Sequence, residues 1–287
     1  MAVHAHPDDE SSKGAATLAK YVADGAGVMV VSCTGGERGD ILNKSYVLTN
    51  EPLVEVRKRE MAATAKILGV QHVWLGFEDS GYHEGSADTW DLPEGCFAAL
   101  DLEVEVEALV RLIRDFRPQV VITYDENGGY PHPDHIRTHE VSVAAFDAAA
   151  DPDAFPEAGA PWQALKLYYH GGFSRQRLDA INTAMLAYNG TAPFAGWLER
   201  MDRDARADRS AKVTTRVDVS EFLEVRDAAL RAHATQISPT EGHWFAVPHE
   251  IEAAVWGTDD YELARSLVDS TLPEDDVFAG ITERVSR

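Results

Sequence analysis

The sequence predicts an α/β fold: a Rossmann-like, mostly parallel sheet with helices on both faces and a smaller C-terminal cap region. Three observations carry this. Short apolar runs rich in β-branched residues, such as Val28-Met29-Val30-Val31 and Val120-Val121-Ile122-Thr123-Tyr124, alternate with helix-length segments through the first half. Two of the runs lead directly into clusters of His and Asp, and ligands bind at the carboxyl ends of strands in open α/β sheets. The length, 287 residues, suits one large domain or one domain with a smaller appendage.

Taken in order, residues 1–5 read as a first buried strand, 14–23 as a helix, 28–32 as a second strand and 57–68 as a helix stopped by Gly69. Residues 73–75 read as a short strand, 104–116 as an amphipathic helix ended by Arg117-Pro118, and 120–124 as the next strand. A helix over 136–149, a Pro-rich loop over 151–161 and a strand over 165–169 follow. Beyond Arg175 the pattern weakens to helical stretches at 176–187 and 194–200, a charged segment at 203–209, a strand at 213–217 and a helix at 221–235. The expected division is a catalytic region over 1–174 and a cap region over 175–287 packed on the same domain.

Composition bounds the partners. Lys and Arg number 26 against 48 Asp and Glu, a net charge of −22, which argues against nucleic acid or an anionic membrane. No apolar run approaches the ~20 residues of a membrane span, and residues 1–5 lack the features of a signal peptide, so a cytoplasmic location is expected. Cys33 and Cys96 form no C-x-x-C pair and suggest neither a disulfide scaffold nor a thiolate zinc site; both read as structural.

The chemistry concentrates in His6-Pro7-Asp8-Asp9-Glu10 and His132-Pro133-Asp134-His135. The first alone would pass for a helix start, where Pro and acids are favoured. Two such clusters at strand ends point instead to a divalent metal held by two imidazoles and a carboxylate, the layout of a hydrolytic zinc site or a non-haem iron site. With the metal on His6, Asp9 and His135, Asp8 is free to act as general base on a water whose pKa zinc lowers to about 7. His132 would then stabilise the oxyanion or protonate the leaving amine, with the phenol of Tyr130 beside it. Gly128-Gly129 suits either a close approach to ligand or a simple turn. The loop Thr34-Gly35-Gly36-Glu37-Arg38-Gly39-Asp40 is no dinucleotide fingerprint, so a nicotinamide cofactor is not expected. By residue type alone, Arg57-Lys58-Arg59 reads as an exposed helix face and Asp79-Ser80-Gly81 as a turn. His4, His139, His170 and His233 default to structural or surface roles.

These motifs carry a family resemblance. Ala5-His6-Pro7-Asp8-Asp9-Glu10 with Tyr130-Pro131-His132-Pro133-Asp134-His135 resembles the zinc-dependent N-acetylglucosaminyl deacetylase superfamily. The stretches 9–17, 34–43, 124–130 and 230–236 resemble its branch of amidases acting on S-conjugates of the thiol mycothiol; the region after Ser238 resembles it less distinctly. The resemblance implies hydrolysis of the amide joining an S-substituted cysteine to glucosaminyl-inositol, a detoxification reaction on a small pseudodisaccharide thiol conjugate. It also implies His6, Asp9 and His135 as ligands of Zn2+, or of Fe2+, with Asp8 as general base, His132 as transition-state stabiliser or proton donor, and Tyr130 as oxyanion helper. Arg57 and Asp79 match positions that contact sugar and inositol hydroxyls, and Lys13 is a feature of the amidase branch, expected on the thiol side. A hydroxyl-rich substrate also suits Glu37 as an acceptor. Trp74, Phe77, Tyr82 and Trp90 offer either core packing or an apolar surface for the S-substituent.

Four other readings compete. A deacetylase of N-acetylglucosaminyl-inositol would share the metal chemistry, as would an amidase acting on a thiol-conjugated intermediate of secondary metabolism. A non-catalytic binding module would have no use for Asp8, and a non-haem iron oxygenase would depend on oxygen and a reductant.

Overall fold

The computed structural model describes residues 1–85, 89–203, 208–240 and 242–282. The predicted charged segment at 203–209 lies partly outside these. Strands β1 (Ala2–His4), β2 (Met29–Thr34), β3 (Gln71–Phe77), β4 (Val120–Thr123) and β5 (Lys166–His170) run parallel, in the spatial order β3-β2-β1-β4-β5. Between them the chain forms α1 (Asp9–Ser12), α2 (Ala15–Ala23), α3 (Leu53–Leu68), α4 (Leu102–Phe116) and α5 (Pro133–Ala148).

The α/β expectation holds because each central strand is buried on both faces and its neighbouring residues face opposite layers. Val3, Val31, Val121 and Leu167 pack with Leu109, Ile113, Val141 and Phe146 of α4 and α5. Ala2, Val30, Ile122 and Tyr168 pack on the other side, with Leu18 of α2 and Met61 and Leu68 of α3. Burying one such aliphatic side chain is worth about 1.5–3 kcal/mol, so the two layers set the register of the sheet.

Two strands complete the sheet from the later sequence. β6 (Thr215–Asp218) was expected; β7 (Thr258–Ser266) was not, and it lies antiparallel between β5 and β6. Its sequence, Thr-Asp-Asp-Tyr-Glu-Leu-Ala-Arg-Ser, lacks a β-branched run, and the strand forms because it is paired on both sides. α8 (Leu223–Ala232) packs beside α2 and α3, its Leu223 and Ala229 joining the same layer. Among the later helices, α6 (Arg175–Asn189), α7 (Ala195–Arg203) and the unpredicted α9 (His249–Trp256) share a separate cluster built on Leu178, Ile181, Met185 and Phe194.

Two helices start well before the expected residue. α3 begins at Leu53, behind Pro52, and α5 begins at Pro133 rather than at 136. The ring of His132 accepts the N–H of Asp134 (3.1 Å) and Pro133 occupies the first helical position, so the second histidine cluster is also a capped helix start. Among the described residues no helix is long and apolar enough to cross a membrane. Cys33 and Cys96 are free and buried.

Candidate metal centre and active site

From β1 the chain turns outward to β2 and β3; from β4 it turns the other way to β5. The crevice above the carboxyl ends of β1 and β4 is therefore the topological switch point of the sheet. His6 stands two residues beyond β1, and His132 and His135 stand at the start of the helix that follows β4. Sheet topology thus brings together two clusters separated by 128 residues.

Asp9 is central. Its Oδ2 accepts the backbone N–H of His6 (3.0 Å), lies 3.6 Å from His6 Nδ1 and 3.4 Å from His135 Nε2. Donors about 2.1 Å from one tetrahedral ion lie about 3.4 Å apart, so these three groups suit one divalent metal. A further observation agrees: His135 Nε2 is buried without a well-formed hydrogen bond, while its Nδ1 donates to the carbonyl of Gly128 (2.9 Å). That bond leaves the lone pair on Nε2, the form a metal needs. The ring stacks on Tyr124 at 4.4 Å, and the Tyr124 hydroxyl accepts the N–H of Ala5 (3.0 Å). Gly128 has φ +69, and a Cβ there would stand 2.6 Å from that of His135, which explains one of the two glycines.

The other face of His6 meets carboxylates. Its Nε2 lies 3.1 Å from Asp134 Oδ2 and 3.5 Å from Asp79 Oδ1. Burial alone lowers the pKa of this ring, but hydrogen bonds to Asp134, Asp79 and Asp9 outweigh it and raise it well above the ordinary value. The pocket therefore favours positive charge, as a divalent cation would supply.

Asp8 has left-handed backbone, φ 105, unusual for a residue with a Cβ. Its Oδ2 is 3.3 Å from Nη2 of Arg57, which also donates to the carbonyl of Pro7 (2.6 Å). Burial raises the pKa of Asp8, the Arg57 charge opposes this and Asp9 adds to it, leaving a carboxyl more basic than usual. Arg57, 4 % exposed, is no outward face of α3: its guanidinium also donates to the carbonyl of Gly36, where any side chain would collide with it. Burial, then the charges of His6 and His135, push His132 down to about 2, so its ring is neutral; with Nδ1 accepting the cap bond, Nε2 carries the proton.

Of the remaining expected contacts, Lys13 donates to Asp9 Oδ1 at 2.6 Å and so braces the carboxylate. Asp79 accepts from the N–H groups of Arg38 (3.1 Å) and Gly81 (2.8 Å), and Glu37 from those of Gly35 (3.2 Å) and Asp79 (3.1 Å). Tyr130 is 45 % exposed with its ring 4.5 Å from that of His135. Tyr82 is exposed near His132, whereas Trp74 and Phe77 pack against the two core layers. His6, Asp79 and His132 form a second group of metal-capable atoms, but it would use the His6 nitrogen already engaged by Asp134 and displace the His132 proton. Sequence reasoning missed Asp134, Tyr124, Glu10 and His233. Asp134 stood inside a motif already singled out, so its position was signalled even though its role was not.

Comparison with known proteins agrees with the geometry. Residues 1–146 match the PIG-L family, described as GlcNAc-PI de-N-acetylase. The chain is 54 % identical to a mycothiol S-conjugate amidase from Streptomyces coelicolor, covering 99 % of this chain and 97 % of the relative. It is 40 % identical to a 1D-myo-inositol 2-acetamido-2-deoxy-alpha-D-glucopyranoside deacetylase from Streptomyces avermitilis, covering 98 % and 96 %. The fold is shared with an N,N'-diacetylchitobiose deacetylase from Pyrococcus horikoshii, at TM-score 0.59 and 17 % identity over 91 % of this chain and 82 % of that one. It is shared too with a conserved protein from Thermus thermophilus, at TM-score 0.56 and 22 % identity over 93 % and 95 %. The chain belongs to the PIG-L family and is a hydrolase of amide bonds.

Proposed function

We propose that this protein is a divalent-metal amidase that cleaves mycothiol S-conjugates into glucosaminyl-inositol and an N-acetylcysteine S-conjugate. The observation that carries the substrate is the 54 % identity to the amidase over the whole chain, against 40 % to the deacetylase over the same span. The reaction type rests on the grouping of His6, Asp9 and His135 with Asp8 and His132 around it.

His6, Asp9 and His135 would hold the ion, which when bound supplies Lewis acidity toward the scissile carbonyl and acidifies water. Asp8, held at its carboxylate by Arg57, takes the proton of the attacking water. His132, neutral with its proton on Nε2, donates a hydrogen bond to the developing oxyanion, and Asp8 passes the proton it has taken to the leaving amine. Tyr130 lies at the mouth, where its phenol supplements that donation. Asp79, Glu37 and the Arg57 region flank the sugar side, and Lys13 keeps Asp9 oriented beside the thiol side. Zinc suits the donor set, and ferrous iron is accepted by the same groups.

Deacetylation of N-acetylglucosaminyl-inositol is the second reading, favoured by the PIG-L match and the 40 % relatives. Amine release from a mycothiol S-conjugate and from N-acetylglucosaminyl-inositol, each with zinc- and iron-loaded protein, decides between them. Preference for the conjugate supports the amidase, preference for the acetylated sugar supports the deacetylase, and inactivity on both with metal bound overturns both.

A further inference from the structure

The stretch 230–236 resembles the family yet supplies no residue to the chemistry above. Its contacts give it a task. Asp8 departs from ordinary backbone geometry at φ 105, and its N–H donates to Oε2 of Glu10 (3.0 Å). The other carboxylate oxygen of Glu10 accepts from Ser11 Oγ (2.6 Å) and from Nε2 of His233 (2.7 Å), a residue 223 positions away. The side chains of Glu10 and His233 are both 0 % exposed. His233 directly follows α8, and Thr235 beside it is tied by its N–H (2.8 Å) and hydroxyl (2.7 Å) to Glu60 on α3.

We infer that Glu10, locked by His233, is a positioning residue that holds Asp8 in its left-handed conformation and so aims the Asp8 carboxylate. Arg57 restrains the carboxylate of Asp8, but nothing else described bonds its N–H. A residue with a Cβ keeps such a conformation only where its surroundings over-determine it. Without the Glu10 acceptor the peptide relaxes toward ordinary φ and the carboxylate swings off its line. The inference rests on the reading of Asp8 as general base.

The test is a double-mutant cycle on metal-loaded protein with a mycothiol S-conjugate as substrate. Glu10→Ala is expected to lower kcat by about 10²-fold, within the range of a general base, while leaving KM and bound metal within about twofold. Glu10→Gln, which keeps an oxygen acceptor, restores most of the rate. On the Asp8→Ala background Glu10→Ala costs nothing further, because the residue acts through Asp8. Amide exchange over residues 8–10 accelerates in Glu10→Ala and returns to the parent rate in Glu10→Gln. An equal loss of kcat on both backgrounds, or unchanged amide exchange, overturns the inference. Should Glu10→Ala not fold, His233→Gln carries the same cycle with the same expected non-additivity. Full activity of Asp8→Ala alone would remove the reading of Asp8 as base, an outcome distinct from additivity.

Discussion

Asp134 Oδ2 lies 3.1 Å from Nε2 of His6 while accepting the N–H of Ser80 at 3.0 Å, with Asp134 fully buried. A carboxylate fixed from behind in this way sets the tautomer of the imidazole and turns its Nδ1 toward Asp9. Asp134→Ala is therefore expected to weaken metal binding by about 10–100-fold. Chelator competition measures this, and an unchanged affinity would remove Asp134 from the centre.

Gly128→Ala tests the support of the second histidine. The new Cβ would meet the Cβ of His135 at 2.6 Å and the nitrogen of Ile136 at 3.0 Å, in a backbone region that costs a residue with a Cβ about 1–3 kcal/mol. The variant should melt earlier and gain less from added metal than the parent does. Thermal unfolding with and without the ion reads both effects.

Asp8 and His135 should separate chemistry from metal binding. Asp8→Ala keeps the ion and loses about 10²- to 10⁴-fold in rate. His135→Ala loses affinity as well as rate. Metal content by mass spectrometry, paired with turnover, checks the split, and equal metal loss in both variants would remove Asp8 from the role of base.

Acid sensitivity should come from a second buried cluster away from the crevice. Glu274 accepts from Lys166 (2.5 Å), from the Tyr168 hydroxyl (2.6 Å) and from Thr215 (3.0 Å). Burial raises its pKa, but these hydrogen bonds outweigh it and leave it below the ordinary 4.5. A folded-state pKa below the unfolded one stabilises the protein above pH 4.5, and that stability is lost as the pH falls through the folded value. Glu274→Gln should remove this part of the acid limb. It should also cost on the order of 3–5 kcal/mol near neutrality, because Lys166 is left buried without its counter-charge. Denaturant unfolding from acid to neutral pH measures both.

The five parallel strands were legible because short apolar runs, β-branched in β2 and β4 and aromatic in β5, alternate with helix-length segments and Gly or Pro stops, all of which are local signals. α9 and β7 were not, since the Thr258–Ser266 sequence carries no strand pattern and gains its conformation from β5 and β6. The candidate site divides similarly. His6, Asp9 and His135 stand out by residue type and by following strands. Arg57 read as an exposed face by its Lys and Arg neighbours, yet the structure turns it inward onto Pro7 and Gly36.

By itself the sequence determined the fold class, the family and the chemical types gathered at the strand ends, because these depend on short-range pattern and on which donors are present. Only the tertiary structure decided that Asp134 backs His6, that Arg57 holds Asp8, and that Glu10 reaches His233 across the chain. Such pairings follow from how the layers stack and from the cost of leaving a buried polar group unpaired, and neither is written in the spacing of residues along the chain.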